Sequence, residues 1–279
     1  MTKKVKKFTS APLPFQGQKR RFLKQFEGVI ETLPDNAVFV DLFGGSGLLS
    51  HRVKQIKPNA KVVYNDYDNF SVRLSKVRET NLLLGKLRLV LSGSEKDKKV
   101  VEPTRTKVIK TIEKHYNDFG YVDFITISSS ILFSGKYATS IDDIKRDTFY
   151  NCIRESDYDV NGYLDGLEVV SDDYRVIFDT YKNCPGVIFF VDPPYLSTDV
   201  KSYNSYWKLV DYLNVLDVLC GSRYFYFTSN KSSIVELCEW METRSSDISV
   251  NPFHGSTTMT VAGSVNYNSS YTDIMLYKV

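Results

Sequence analysis

The residues of this chain best suited to chemistry are four in a row, Asp192-Pro193-Pro194-Tyr195. Two successive prolines fix φ and remove two N–H donors, so the carbonyls of Asp192 and Pro193 are left as acceptors. An acid and a carbonyl that converge on one point form a receptor for an NH₂ group, which has two protons to donate and a lone pair to expose. Tyr195 adds a flat face, and a base stacked on an aromatic gains roughly 1–3 kcal/mol. An exocyclic amine on a heterocycle fits this arrangement. Taken alone, the tetrad also reads as a proline-rich loop with a solvated acid, so a second site has to decide between the two.

That second site lies near the N-terminus. The apolar run Ala37-Val38-Phe39-Val40 ends at Asp41, and Leu42-Phe43-Gly44-Gly45-Ser46-Gly47 follows it before a helix expected from Leu48 to Ile56. Glycines there let the backbone turn tightly and approach a ligand closely. The next strand, Lys61 to Asn65, ends at Asp66, 19 residues after Gly47. Nucleotide-binding βαβ units place an acid on ribose hydroxyls at about that distance. The dinucleotide pattern and the Gly-Lys-Ser/Thr of a P-loop are both absent, which favours an adenosine ligand without a pyrophosphate, such as S-adenosylmethionine.

The elements that must position these residues are an α/β sheet and its helices. Val187-Ile188-Phe189-Phe190-Val191 leads into the tetrad as a strand buried on both faces, which suits a parallel sheet with its site at the strand ends. A Pro/Gly-rich turn from Pro12 to Lys19 runs into a helix expected over Arg20 to Thr32, and a single helix is expected from Tyr67 to about Leu84. Val169 to Tyr174 reads as a short strand ending in acids, followed by a helix to Tyr181. Further helices are expected over Tyr203–Leu219 and Ile234–Met241, and a strand over Tyr224–Asn230. Val261–Val265 and Ile274–Val279 would close the sheet as an antiparallel edge.

Between these halves the character changes. Residues 85–167 are rich in Lys, Arg, Ser and Tyr with weak periodicity, a helix from Thr104 to Tyr116 and a possible hairpin over Ile131–Tyr137. Connections between strands and helices are usually 2–6 residues, so this stretch is expected to be an inserted lobe, with 1–84 and 168–279 forming the catalytic domain. Interleaved basic and aromatic residues suit a nucleic-acid reader; a lobe for oligomer contact is the alternative.

At 279 residues, 42% hydrophobic and 25% charged, the composition is that of a globular protein. The net charge of +3 excludes a polycation, so any nucleic-acid contact must come from local patches. Cys152, Cys184, Cys220 and Cys238 form no C-x-x-C pair and, with three scattered histidines, give no zinc spacing, so no metal is expected. Lys3, Lys4, Lys6 and Lys7 precede no apolar segment, and no run approaches membrane-spanning length, so a cytoplasmic protein with no membrane partner is expected.

In chain order, the Phe43-x-Gly45-x-Gly47 loop, the lobe and the tetrad resemble the DNA adenine methyltransferases of the Dam-like D12 class. The resemblance implies a Rossmann-like, S-adenosylmethionine-dependent methyltransferase sheet with an inserted DNA-recognition lobe. It also implies double-stranded DNA as partner, a monomer or weak dimer, and a place in DNA methylation or restriction-modification. Carried over residue by residue, Phe15 and Lys19 would lie against the cofactor, and Phe43, Gly45 and Gly47 would form its loop with Asp41 supporting the turn. Asp66 would hold the ribose, Asp173 and Tyr174 would flank the adenine, and Asp192, Pro193, Pro194 and Tyr195 would be catalytic. Asp192 also borders the cofactor, and Thr228-Ser229-Asn230 resembles the strand end that follows. The Asn-x-Pro-Phe-Gly hairpin of GATC-specific members is not visible near Phe133–Tyr137. N4-cytosine methylation and a catalytically silent DNA-binding subunit are the rival readings; RNA adenine or protein glutamine methylation fits less well.

Overall fold

The computed structural model describes residues 8–133, 136–194, 207–266 and 269–279, with the backbone alone for 249, 264–266, 269 and 270. The chain forms two compact units, one of Met1–Gln18 with Asn69–Tyr163 and one of Lys19–Asp68 with Leu164–Val279. The first unit therefore takes in the N-terminal segment and everything from Asn69, where the sequence suggests a lobe over 85–167.

The second unit is built on a mixed sheet. Its strands are β1 (Val38–Asp41), β2 (Lys61–Asn65), β3 (Glu168–Val170), β4 (Val187–Val191), β5 (Tyr224–Ser229), β6 (Thr257–Asn266) and β7 (Ser269–Lys278). They lie in the order β3-β2-β1-β4-β5-β7-β6. The first five run parallel, and β7 enters antiparallel to β5 with β6 outside it. Chain order reverses between β1 and β4, the position where ligands bind in open α/β sheets. Asp41 and Asp192 leave the sheet there, on neighbouring strands.

Both faces of the sheet are covered, which explains the unbroken apolar runs of β1, β4 and β5. On one face, α1 (Leu23–Thr32) and α2 (Leu48–Ile56) pack Phe26, Ile30 and Val53 against Phe39, Phe190 and Phe225. The Phe26 ring meets Phe190 and Phe225 edge-on at 5.2 and 5.0 Å, and each such buried side chain contributes about 1.5–3 kcal/mol. On the other face, Val40, Phe189, Val191, Tyr224 and Tyr226 share a core with Tyr212, Leu216 and Leu219. Tyr212, Leu216 and Leu219 belong to the helix Leu209–Leu219; of the expected helix, Tyr203 to Tyr206 lie outside the described residues, and Trp207 and Lys208 are not helical. The helix expected from Arg20 opens instead as a 3-10 turn, Arg20–Phe22, before α1 begins. The closing strands are longer than Val261–Val265 and Ile274–Val279, at ten residues each.

The first unit is helical. The single helix expected over Tyr67–Leu84 is two: α3 (Phe70–Ser75) and α4 (Val77–Leu91), separated at Lys76, whose φ of −98° and ψ of 15° leave the helical basin. No Pro or Gly marks this break, so periodicity misses it. Next come α5 (Thr104–Phe119), α6 (Phe124–Ile131) and α7 (Ile141–Arg146). The β-branched, serine-rich sequence of α6 becomes helical because Asp123 caps it, accepting from Thr126 N at 3.1 Å, and because Ile127 and Ile131 join the unit's core. Ile131 thus ends a helix, and the hairpin expected there reduces to an isolated bridge between Leu132 and Phe149; residues 134 and 135 lie outside the described set. The N-terminal segment is held within this unit by Arg73, whose Nη2 donates to Pro14 O at 2.9 Å.

Candidate active site

Five parallel strands deliver their carboxyl ends to one edge of the sheet, and the polar residues of the second unit gather there. β1 ends at the buried Asp41, which accepts from Ser50 Oγ at 2.7 Å and from the Phe43 N–H. Burial raises its carboxyl to about 7, and the charge of Asp192 adds to this while Ser50 opposes it. The turn that follows has Gly45 at φ 49° and Gly47 at φ 70°, left-handed conformations that favour glycine, and Gly47 N closes it on Gly44 O at 2.7 Å.

Tyr64, the fourth residue of β2, supports this turn from below. A Cβ on Gly44 would lie 2.4 Å from its ring, so a side chain there would displace one of the two. The Tyr64 hydroxyl lies 2.7 Å from Gly45 O and 2.9 Å from Asp66 Oδ1, and its single proton serves one acceptor at a time. Asp66, 3% exposed, is thereby oriented at the end of β2. Asn65 ties the neighbouring loops together: its Nδ2 donates to Leu42 O at 2.9 Å and Asp172 O at 3.0 Å, while its Oδ1 accepts from Asp172 N at 3.2 Å. Neither Tyr64 nor Asn65 is singled out by sequence, because each reads as an ordinary strand residue until its cross-strand neighbours are known. Gly44 escapes notice for a related reason, since it lies between the glycines of the recognised pattern.

Beyond β3, Asp173 caps the helix Tyr174–Tyr181 and is claimed by its own neighbour. Arg175 Nε and Nη2 donate to its two oxygens at 2.9 and 2.7 Å, and this pairing holds the carboxyl below the usual carboxylate range. Tyr174 faces Phe43 with ring centroids 4.8 Å apart, and Trp207 stacks on Tyr174 at 6.2 Å. Trp207 also meets Phe43 at 5.8 Å, which closes a three-ring cluster beside the glycine turn. The Phe43–Tyr174 separation leaves no room for a heterocycle between those two rings.

At the end of β4, Asp192 is paired with Lys19 Nζ at 2.6 Å. Burial raises the Asp192 carboxyl, Lys19 pulls it back, and Asp273 adds a smaller repulsion. Lys19 also lies 5.9 Å from the centroid of the Phe227 ring. Pro193 is buried and Pro194 half-buried behind the acid; Tyr195 lies outside the described residues. Next to this strand, Thr228 and Ser229 are buried, and Asn230 N donates to Thr272 O while its Oδ1 accepts from Thr272 N, both at 2.9 Å. Asp273 sits opposite Ser229 on β7, a further acid at the same edge that only the strand register reveals.

The structure thus brings Lys19, Asp41, Phe43, Gly45, Gly47, Asp66, Tyr174, Asp192 and Pro193 to one unit, with Asp173 on its surface. Phe15 belongs to the helical unit, where its ring meets Phe70 edge-on at 5.6 Å. Among the described residues, no group of three His, Cys, Asp or Glu side chains is placed to hold a metal ion, and no helix is long and apolar enough to cross a membrane.

A protein of Haemophilus influenzae (strain Rd), provisionally named as a methyltransferase, is 37% identical over 282 residues, covering 98% of this chain and 93% of its own. Two solved structures align over most of their length at low similarity. One is a Streptococcus thermophilus rRNA methylase, with 14% identity, 93% of this chain, 96% of that chain and a TM-score of 0.36. The other is a Geobacter metallireducens precorrin-6y C5,15-methyltransferase, with 10% identity, 98% and 99% coverage and a TM-score of 0.36. At those scores neither bears on the site. The profile of the D12 class N6 adenine-specific DNA methyltransferases matches residues 15–214, and this chain belongs to that family.

Proposed function

We propose that this protein transfers a methyl group from S-adenosylmethionine to N6 of a flipped-out adenine in duplex DNA. The observation that carries the reading is Asp192, a partly buried carboxylate at the end of the central strand, paired with Lys19 and followed by two prolines. Lys19 favours its ionised form against the cost of burial. An ionised Asp192 accepts one N6 proton in a hydrogen bond, and the Pro193 carbonyl is assigned the other. The nitrogen lone pair then points away from both acceptors, and one N6 proton is lost through Asp192 to water after transfer. Tyr195 is assigned the stacking that offsets the few kcal/mol of base flipping. Positioning supplies much of the acceleration, and no covalent enzyme adduct is required.

The residues present fit the donor. Asp66, buried and oriented by Tyr64, suits a ribose diol, and the left-handed turn at Gly45 and Gly47 is joined to it through the same tyrosine hydroxyl. S-adenosylmethionine supplies, when bound, a methyl group on a positively charged sulfur. Phe43 and Tyr174 are assigned apolar contact with it as one surface rather than as two sides of a sandwich, and Asp41 holds the turn. The helical unit is assigned target recognition.

The test is to incubate the purified protein with methyl-labelled S-adenosylmethionine and unmethylated duplex DNA, then digest and identify the modified nucleoside. N6-methyladenine, lost in Asp192→Ala, is the expected result. N4-methylcytosine would move the base while keeping the mechanism. Donor binding with no DNA product would overturn the DNA reading and redirect the search to RNA or protein amines.

A further inference from the structure

We propose that the basic turn at the start of α1 and the β6–β7 ribbon together form a rim that binds the DNA phosphates flanking the target nucleotide. The inference rests on the DNA reading above and adds a binding surface outside the helical unit.

Its first basis is register. β7 pairs with β5 only from Asp273 to Lys278, whereas β6 and β7 remain paired out to Asn266 and Ser269. The ribbon therefore runs past the sheet at the end where β4 delivers Asp192. A second basis is the link between ribbon and acid. Lys19 reaches Asp192, and two residues later Arg21 Nη1 donates to Ala262 O on β6 at 3.4 Å. Gly263 is packed so closely that a Cβ there would lie 2.7 Å from Arg21 Nη1 and 2.6 Å from the Tyr271 ring. One short stretch of chain thus fixes the ribbon relative to the candidate catalytic acid.

Charge and composition point to the occupant. Arg20, Arg21 and Lys24 are exposed and form no ion pair among the described residues; burial raises the Asp273 carboxyl, and Lys19 and then Arg21 oppose that from nearby. Lys231, exposed on the loop after β5, sits over the Tyr271 ring at 5.3 Å. Residues 257–272 contain no charged side chain, and 11 of the 16 are Ser, Thr, Asn or Tyr. Outer strands normally carry charges or proline that discourage pairing, and β6 has neither. Exposed Arg and Lys side chains and hydroxyl groups, such as those of Thr257, Thr258 and Thr260 on β6, are usual partners of phosphate oxygens, and a two-stranded ribbon fits a DNA groove.

The experiment measures binding of a labelled unmethylated duplex by fluorescence anisotropy between roughly 50 and 200 mM salt. The proteins compared are wild type, the double variant R20Q/K24Q, which leaves the Arg21–Ala262 bond intact, and R21K, which keeps the charge. Thermal unfolding and donor affinity confirm that each is folded. In the double variant the slope of log K against log salt is expected to shrink by about 2, with affinity about tenfold lower whatever the duplex sequence. R21K is expected to keep the wild-type slope. An unchanged slope in R20Q/K24Q, with wild type still binding duplex, overturns the rim and leaves the proposed function standing. A concentration-dependent dimer abolished by Thr260→Pro would also overturn it, by assigning the β6 edge to a second copy. Failure of wild type to bind any duplex overturns the functional reading and this inference with it.

Discussion

Two ion pairs, one in each unit, have opposite designs. In the helical unit, Arg73 Nε contacts both oxygens of Asp123 at 3.1 Å, and Asp123 also accepts from Thr126 N and Thr126 Oγ1. Arg73 Nη2 donates to Pro14 O and Thr126 Oγ1. Both Asp123 oxygens are thus engaged at once by Arg73 and Thr126, so this carboxylate holds structure. In the sheet unit, Asp192 has Lys19 as its ion-pair partner among the described residues and keeps about a fifth of its side chain exposed. A carboxylate that is paired but not saturated retains acceptor capacity. The difference separates a charge used for folding from one available to an incoming amine.

Substituting the two acids is the strongest way to break the comparison. Asp192→Asn is expected to lower turnover by roughly 10²–10⁴-fold with little loss of stability, because the site is partly open to water and the change also removes a charge that repels Asp41. Asp123→Asn is expected to cost about 3–5 kcal/mol of unfolding free energy by stranding Arg73, while the folded fraction keeps its activity. Turnover assays and urea unfolding on both variants check this, and exchanged phenotypes would abolish the distinction.

The pH dependence of each unit sharpens the contrast, because the two have opposite signs. Asp41 has a folded value near 7 against 3.8 unfolded, so the native state binds the extra proton in between. Stability of the sheet unit therefore falls as pH rises from about 4 to 7, and Asp41→Asn flattens that slope. His115 is fully buried on α5, its ring stacked on Phe119 at 4.5 Å and neither nitrogen hydrogen-bonded. Burial, aided by Lys86, pushes its value below 6.5, so the unfolded state binds the extra proton and the helical unit loses stability as pH drops below about 6.5. His115→Phe removes that loss. Hydrogen exchange resolved by unit, followed across this range, reads both slopes.

Smaller effects come from two glycines. Gly44→Ala forces a Cβ to within 2.4 Å of the Tyr64 ring and is expected to destabilise by roughly 1–3 kcal/mol. Gly85 lies inside α4 with nothing within 4 Å of an added Cβ, so Gly85→Ala is expected to stabilise by about 0.5–1 kcal/mol. Thermal unfolding of both variants gives the two signs.

Legibility in the sequence followed the same division. Strands β1, β2, β4 and β5 were readable because each is a short apolar run ending in a polar residue, and the parallel sheet buries both their faces. The helical unit was harder. Its break at Lys76 has no proline or glycine to mark it, and α6 is helical against the preference of its β-branched residues because Asp123 caps it and tertiary packing favours it. Asp173 was readable as an acid at a strand end, but not as the partner of Arg175, since nothing in residue order shows where a side chain turns.

The sequence by itself determined the chemical inventory: an acid before two prolines, a glycine turn after a strand, and an acid one strand later. Local backbone physics is enough for these, because proline, glycine and apolar alternation act over a few residues. Only the tertiary structure decided that Lys19 pairs with Asp192, that Tyr64 supports the glycine turn and orients Asp66, and that Asp273 reaches the same edge. Those contacts join residues distant in the chain, and strand order and register, not spacing along the sequence, bring them together.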